Sequence, residues 1–97
     1  MDSDSTGHAE VLSELVGQTV VMDLAGSTIV IGRLVRIGSD CYVLDDADLH
    51  DCEEGASGKE LYAINVRKYE LKSNRRRVYV PRKNVLAVSA LDDVITD

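Results

Sequence analysis

From Thr19 onward the chain alternates with a period of two. In TVVMDL, Val20, Met22 and Leu24 point to one side and Val21 and Asp23 to the other, the pattern of a β-strand. A tight turn at Ala25-Gly26-Ser27 leads into TIVIGRLVRI. There Ile29, Ile31, Arg33 and Val35 share one face, and Val30, Gly32, Leu34 and Arg36 share the other. A mid-strand glycine loses packing and marks a sharp bend or a close backbone approach. Gly32 is therefore where a long second strand is expected to curl from one half of the sheet into the other. Gly38-Ser39-Asp40 supplies the next turn, and CYVLDDADLH returns as a third strand with Tyr42 and Leu44 inward.

On either side of this block the period differs. Upstream, Val11, Leu12 and Leu15 fall on one face of a short helix over His8–Leu15, with Ser5 or Thr6 as its cap and Gly17 ending it in the left-handed conformation. Residues 1–7, MDSDSTG, read as a disordered polar N-terminus, and residues 8–97 as one domain. Downstream, EEGASGKE is a loop in which Ser57 and Glu60 have capping-box spacing. KELYAINVRKYELK then places Tyr62, Val66 and Tyr69 at i, i+4 and i+7, which predicts a packing helix within 58–71. The competing reading is an extended strand over Leu61–Val66, because β-branched and aromatic residues are frequent there. The last two strands are RRVYV and VLAVSAL, divided by Pro81-Arg82-Lys83-Asn84. Proline lacks the N–H that a central strand needs, so Pro81, the single proline of the chain, must turn a corner.

A chain of 97 residues makes one domain with a small core. No apolar run approaches the roughly 18–20 residues of a membrane span, and MDSDSTGHAE lacks the basic and apolar regions of a secretion signal. The expectation is a cytoplasmic protein in which Cys41 and Cys52 are free thiols. No CxxC spacing exists, and His8 and His50 are isolated, so neither a metal nor another cofactor is expected. No Ser/His/Asp order or phosphate-cradling glycine loop supports catalysis, and the chain is read as a non-enzyme.

Charge changes the picture more than composition does. The net charge of −6 argues against whole-surface attraction to phosphate backbones. Yet residues 67–83 hold eight of the eleven Lys and Arg, whereas residues 45–54, DDADLHDCEE, hold six acids and no base. Strand alternation sends neighbouring carboxylates to opposite faces, so solvation is favoured over cation binding for the acidic run. The acidic and basic arms can pair with each other or with those of a neighbouring subunit.

A helix followed by five bent strands, with a glycine bend in the second, describes a small barrel. The residues that carry it resemble the Sm-like (LSm) family. The first Sm motif matches Leu12–Ala47, through Leu12, Leu15, Gly17, Val20, Leu24, Gly26, Gly32, Leu34 and the ending Leu44-Asp45-Asp46-Ala47. The second matches VYVPRKNVLAVSALDD, Val78–Asp93, and residues 48–77 would form an enlarged fourth loop. The resemblance implies a mainly β fold: an N-terminal helix, then a five-stranded, strongly bent SH3-like/Sm barrel, with the extra helix between strands 3 and 4. It also implies a homo-oligomeric ring of about six or seven subunits, in which the fourth strand of one copy pairs with the fifth of the next.

In RNA-binding relatives the bases sit between the loop before the third strand and the loop between the last two strands. Here the first of these loops is about one residue short, with Asp40 and Cys41 near a Met-Asn position and Ile37 or Gly38 near an aspartate position. In the second, Pro81-Arg82 stands where Arg-Gly would be. The candidate single-stranded RNA contacts are Asp40, Cys41, Arg82 and Lys83, with Arg75, Arg76 and Arg77 as a further phosphate patch. Each has a plainer alternative: a solvated or ion-paired corner for Arg82 and Lys83, a turn residue for Asp40, a small buried hydrophobe for Cys41, an exposed strand start for Arg75–Arg77. At the level of function the alternatives are an Sm-fold protein–protein assembly module without RNA, and an unrelated SH3-like interaction domain.

Overall fold

A computed structural model describes residues 11–52 and 58–97. Residues Val11 and Leu12 are helical and run into a 3-10 turn, Ser13–Leu15, after which Gly17 stands at φ +93°. The rest of the expected N-terminal helix, its Ser5 or Thr6 cap and the polar segment 1–7 lie outside the described residues, as does the Ser57 of the capping box.

The strands are β1 (Thr19–Leu24), β2 (Thr28–Ile37), β3 (Cys41–Asp51), β4 (Arg75–Pro81) and β5 (Val85–Ala90). They form one five-stranded antiparallel sheet in the order β4-β3-β2-β1-β5. The bend at Gly32 has a direct cause. A Cβ there would lie 2.7 Å from the Ala47 Cβ and 2.9 Å from its Cα, so β3 crosses where only a hydrogen fits. The register between β2 and β3 also shifts around Gly32, between Ile31 and Arg33. Beside it, the Gly17 N–H donates to the Leu34 carbonyl at 2.7 Å, and the Leu34 N–H donates to the Gln18 carbonyl at 2.9 Å. The chain entering the sheet is thereby fastened to the bend.

The alternation seen in the sequence separates two cores. Inward residues Val20, Met22, Val30, Leu34, Tyr42, Leu44, Ala47 and Val80 fill the concave side, with Leu12 and Leu15 packed against them. The opposite face of β1 and β2 (Val21, Ile29, Ile31) is equally apolar, and Ala63 and Val66 of helix α1 (Gly58–Lys68) cover it. Burial of an aliphatic side chain of this size contributes about 1.5–3 kcal/mol, so this second face needs the inserted helix.

Three sequence expectations change here. The helix reading of the insertion is upheld over the strand reading, but its packing stripe is Ala63 and Val66 with half-buried Tyr62. Tyr69 lies beyond the helix end and is 76% exposed. The enlarged loop is shorter than 48–77, because β3 continues to Asp51 and β4 begins at Arg75. A left-handed residue, Asp46 at φ 49°, resets the alternation of β3, so that Ala47 and Asp48 are both buried, one on each face. Asp48 is thus not solvated. It accepts hydrogen bonds from the Tyr62 hydroxyl and, at 3.1 Å, from the Asn74 amide. Its burial raises its pKa above the ordinary carboxylate value, with His50 acting the other way. Among the described residues, no helix is long and apolar enough to cross a membrane.

Candidate nucleic-acid interface

The corner at Pro81 is built from two turns that the sheet brings together. The first, Gly38-Ser39-Asp40, is closed by the Gly38 N–H donating to the Cys41 carbonyl at 2.8 Å. The second is a 3-10 turn, Arg82–Asn84, entered through Pro81 at φ −60° and ψ 132°. Pro81 stands opposite Cys41 on the outermost strand, where its missing N–H costs no central ladder bond.

Arg82 joins the turns. Its N–H donates to the Asp40 carbonyl at 2.9 Å, and its guanidinium Nη1 donates to the Ser39 carbonyl at 2.8 Å. The guanidinium carbon also lies 6.0 Å from the centre of the Tyr42 ring, a cation–π distance. On the other side the Asn84 carbonyl accepts from the Ala25 N–H at 3.0 Å, tying the corner to the β1–β2 turn. The result is an open depression lined by Ser39, Asp40, Pro81, Arg82 and Lys83. Arg82 is half-buried, while Lys83 and Asp40 are exposed.

Of the candidate residues, Asp40, Arg82 and Lys83 are therefore brought together. Cys41 is half-buried beside them but does not line the depression. Arg75, Arg76 and Arg77 sit at the far end of β4; Arg77 is five residues from Arg82, about 17 Å along a strand. Arg77 is moreover engaged within its own molecule. Its Nε and Nη2 donate to the two Asp45 carboxylate oxygens at 2.6 and 3.1 Å. Arg33 adds contacts of 3.6 Å to Asp45 and 3.0 Å to Asp46. The hydrogen bond from Arg77 holds the Asp45 carboxyl below the usual range, against an opposing desolvation effect. The acidic and basic arms thus meet, at this point, within one chain.

Sequence reasoning missed that Tyr42 lies beneath Arg82 and that the Ser39 carbonyl receives the guanidinium. The first follows from the cross-strand register, with Tyr42 opposite Val80, which the sequence does not specify.

No family model and no curated protein matches the chain. Solved structures do. The Sm protein of Pyrococcus abyssii in complex with a uridine heptamer is 21% identical with a TM-score of 0.57, over 84% of this chain and 93% of that one. A heptameric archaeal Sm protein is 20% identical with a TM-score of 0.57, over 84% and 96% of the two chains. A chain of the NatC complex bound to CoA is 23% identical with a TM-score of 0.53, over 81% and 82%. Sheet order, the bend at Gly32 and these likenesses together identify the fold of this chain as Sm-like.

Proposed function

We propose that copies of this chain assemble into a closed ring of about six or seven subunits, and that the ring binds single-stranded RNA at the corner formed by Ser39, Asp40, Pro81, Arg82 and Lys83. The observation that carries the RNA reading is the junction made by Arg82: the two turns that would grip a base are held in contact by its backbone and its guanidinium. Because Arg82 is committed to that junction, exposed Lys83 is the residue to neutralise phosphate, and Arg82 positions the turn. Assembly is supported by the two open sheet edges, β4 and β5. It is further supported by the similarity to a heptameric Sm protein and to one that holds a uridine heptamer. The role is binding rather than catalysis, in a cytoplasmic setting that suits the free thiols Cys41 and Cys52.

A second reading, a protein-assembly module without RNA, is favoured by the net charge of −6 and by the engagement of Arg77 with Asp45. The similarity to a chain of the NatC complex points the same way. Titration of labelled oligo-uridine against salt separates the two. RNA binding predicts an affinity that falls steeply with salt. The slope should become shallower by about 0.7 for each phosphate that no longer meets a cation, as in Lys83→Ala. Arg82→Ala weakens binding by loosening the corner. An intact oligomer that binds no oligo-uridine at low salt leaves the assembly module as the function.

A further inference from the structure

The two open edges of the sheet differ in what lies on their outer face, the face covered elsewhere by α1. On β4, Val78 and Val80 turn inward to the concave core, so Arg75, Arg77 and Tyr79 share the outer face. Tyr79 is a large side chain, 61% exposed. Its neighbour on that face, Arg77, is fixed by its two hydrogen bonds to Asp45.

At the opposite edge, β5 exposes Leu86, but the residues it sets opposite the outer face of β1 are small. Ala87 and Ser89 pair with Asp23 and Val21 of β1, and both are exposed. Beside them lies a groove of about 310 Å³, walled by Ala63 of α1 and by Val94 and Ile95 of the C-terminal segment. Ile95 is 76% exposed. The polar residues of the groove are unequal. Lys59 is already paired, its Nζ 2.5 Å from Asp23 and 2.6 Å from the Leu24 carbonyl. Glu60 and Asp93 remain as exposed acids lining the same groove.

We propose that this groove receives Tyr79 of a second copy of the chain, so that α1 and the C-terminal segment form part of a head-to-tail subunit contact. The inference rests on the ring reading above and extends it to side chains. When β4 of one copy continues the sheet at β5 of the next, alternation keeps inner faces with inner faces and outer with outer. Tyr79 then stands over the neighbouring strand, roughly 4.8 Å away, where Ala87 and Ser89 leave room and the groove opens alongside. The charges match as well: Arg75 and Arg77 flank Tyr79 on the donor face, and Glu60 and Asp93 line the acceptor. A patch on one edge fitting a different patch on the other is a heterologous contact, the kind that generates rings when the rotation closes.

The test uses the full chain with Tyr79 replaced by the photo-crosslinking residue p-benzoylphenylalanine, together with Tyr79→Ala. Because Tyr79 is exposed, circular dichroism should show the alanine variant folded. Its subunit dissociation constant, from sedimentation velocity, should rise on the order of tenfold or more, as for a central aromatic anchor. Irradiation should give adducts between copies that map to Ala87–Ile95 or to α1. Intermolecular adducts elsewhere, or adducts only within one copy, overturn the proposal while leaving the ring intact. A wild-type chain that is monomeric overturns the ring reading and this proposal with it.

Discussion

Gly32 is the residue on which the curvature of the sheet depends. Its missing side chain lets Ala47 approach to where a Cβ would meet two atoms inside 3.0 Å and the Asp45 carbonyl at 3.2 Å. Two of those three atoms belong to backbone, which cannot swing away as the tip of a flexible side chain could. Gly32→Ala should therefore destabilise the fold by about 1–3 kcal/mol, the range for overpacking a filled core. Urea unfolding monitored by circular dichroism reads this directly. A midpoint unchanged from wild type would mean that β2 and β3 do not cross so closely. The same proximity made this position legible in the sequence, because a glycine inside a strong strand pattern signals a bend or a neighbouring backbone pressed close. Asp48 was not legible. Its neighbours Asp45, Asp46 and Asp51 are at least partly exposed, and nothing in the run DDADLHD distinguishes the one carboxylate that α1 later covers.

At the scale of the element, α1 is held by apolar contact and by one polar clamp. Asp48 of β3, Tyr62 of α1 and Asn74 before β4 meet at a single carboxylate. The His50 ring stacks on Tyr62, with centroids 4.1 Å apart and planes 5° from parallel. Because burial raises the Asp48 pKa in the folded state, its linkage to stability has a definite sign. The contribution is complete below the ordinary carboxyl value and is lost as pH rises through the raised one. Asp45, lowered by Arg77, runs oppositely and loses its contribution as pH falls. Asp48→Asn keeps an oxygen for the Tyr62 hydroxyl and gives up one hydrogen bond at every pH. Its stability relative to wild type should therefore improve as pH rises from about 4 through the raised titration range of Asp48, as measured by thermal unfolding across that range. A difference constant with pH would mean that Asp48 titrates alike in folded and unfolded chains.

The helix itself shows how far periodicity reaches. The i, i+4 spacing of Tyr62 and Val66 located it, but the same spacing extended to Tyr69 overshot its end. Spacing alone does not mark where backbone hydrogen bonding stops, and no glycine or proline follows Lys68 to signal it. The candidate corner divides in the same way. Pro81 announced a turn through its missing N–H, and the loops placed Asp40, Arg82 and Lys83 together. That Arg77 would be drawn to Asp45 depended on strand register, which the alternation of β3 and β4 left unspecified because Asp46 interrupts it.

For the whole molecule, the decisive feature is that a strongly bent sheet stops short of closing on itself. Among the described residues, β4 and β5 remain its outer strands, with Tyr79 and Leu86 exposed along them at 61% and 69%. Open edges of this kind pair readily with another chain. Here they differ in charge and shape, with Arg75, Arg77 and Tyr79 on β4, and Ala87 and Ser89 beside the acids Glu60 and Asp93 at β5, which favours joining unlike edges over like ones. The net charge of −6 is compatible with the proposed assembly, since attraction would be local to the joined edges while like charge elsewhere would keep assembled particles apart. Native mass spectrometry of the intact chain is the most direct measurement. Assembly through these edges predicts one dominant species about six or seven times the 10.6 kDa monomer. A species that stays at 10.6 kDa as the protein is concentrated would contradict it.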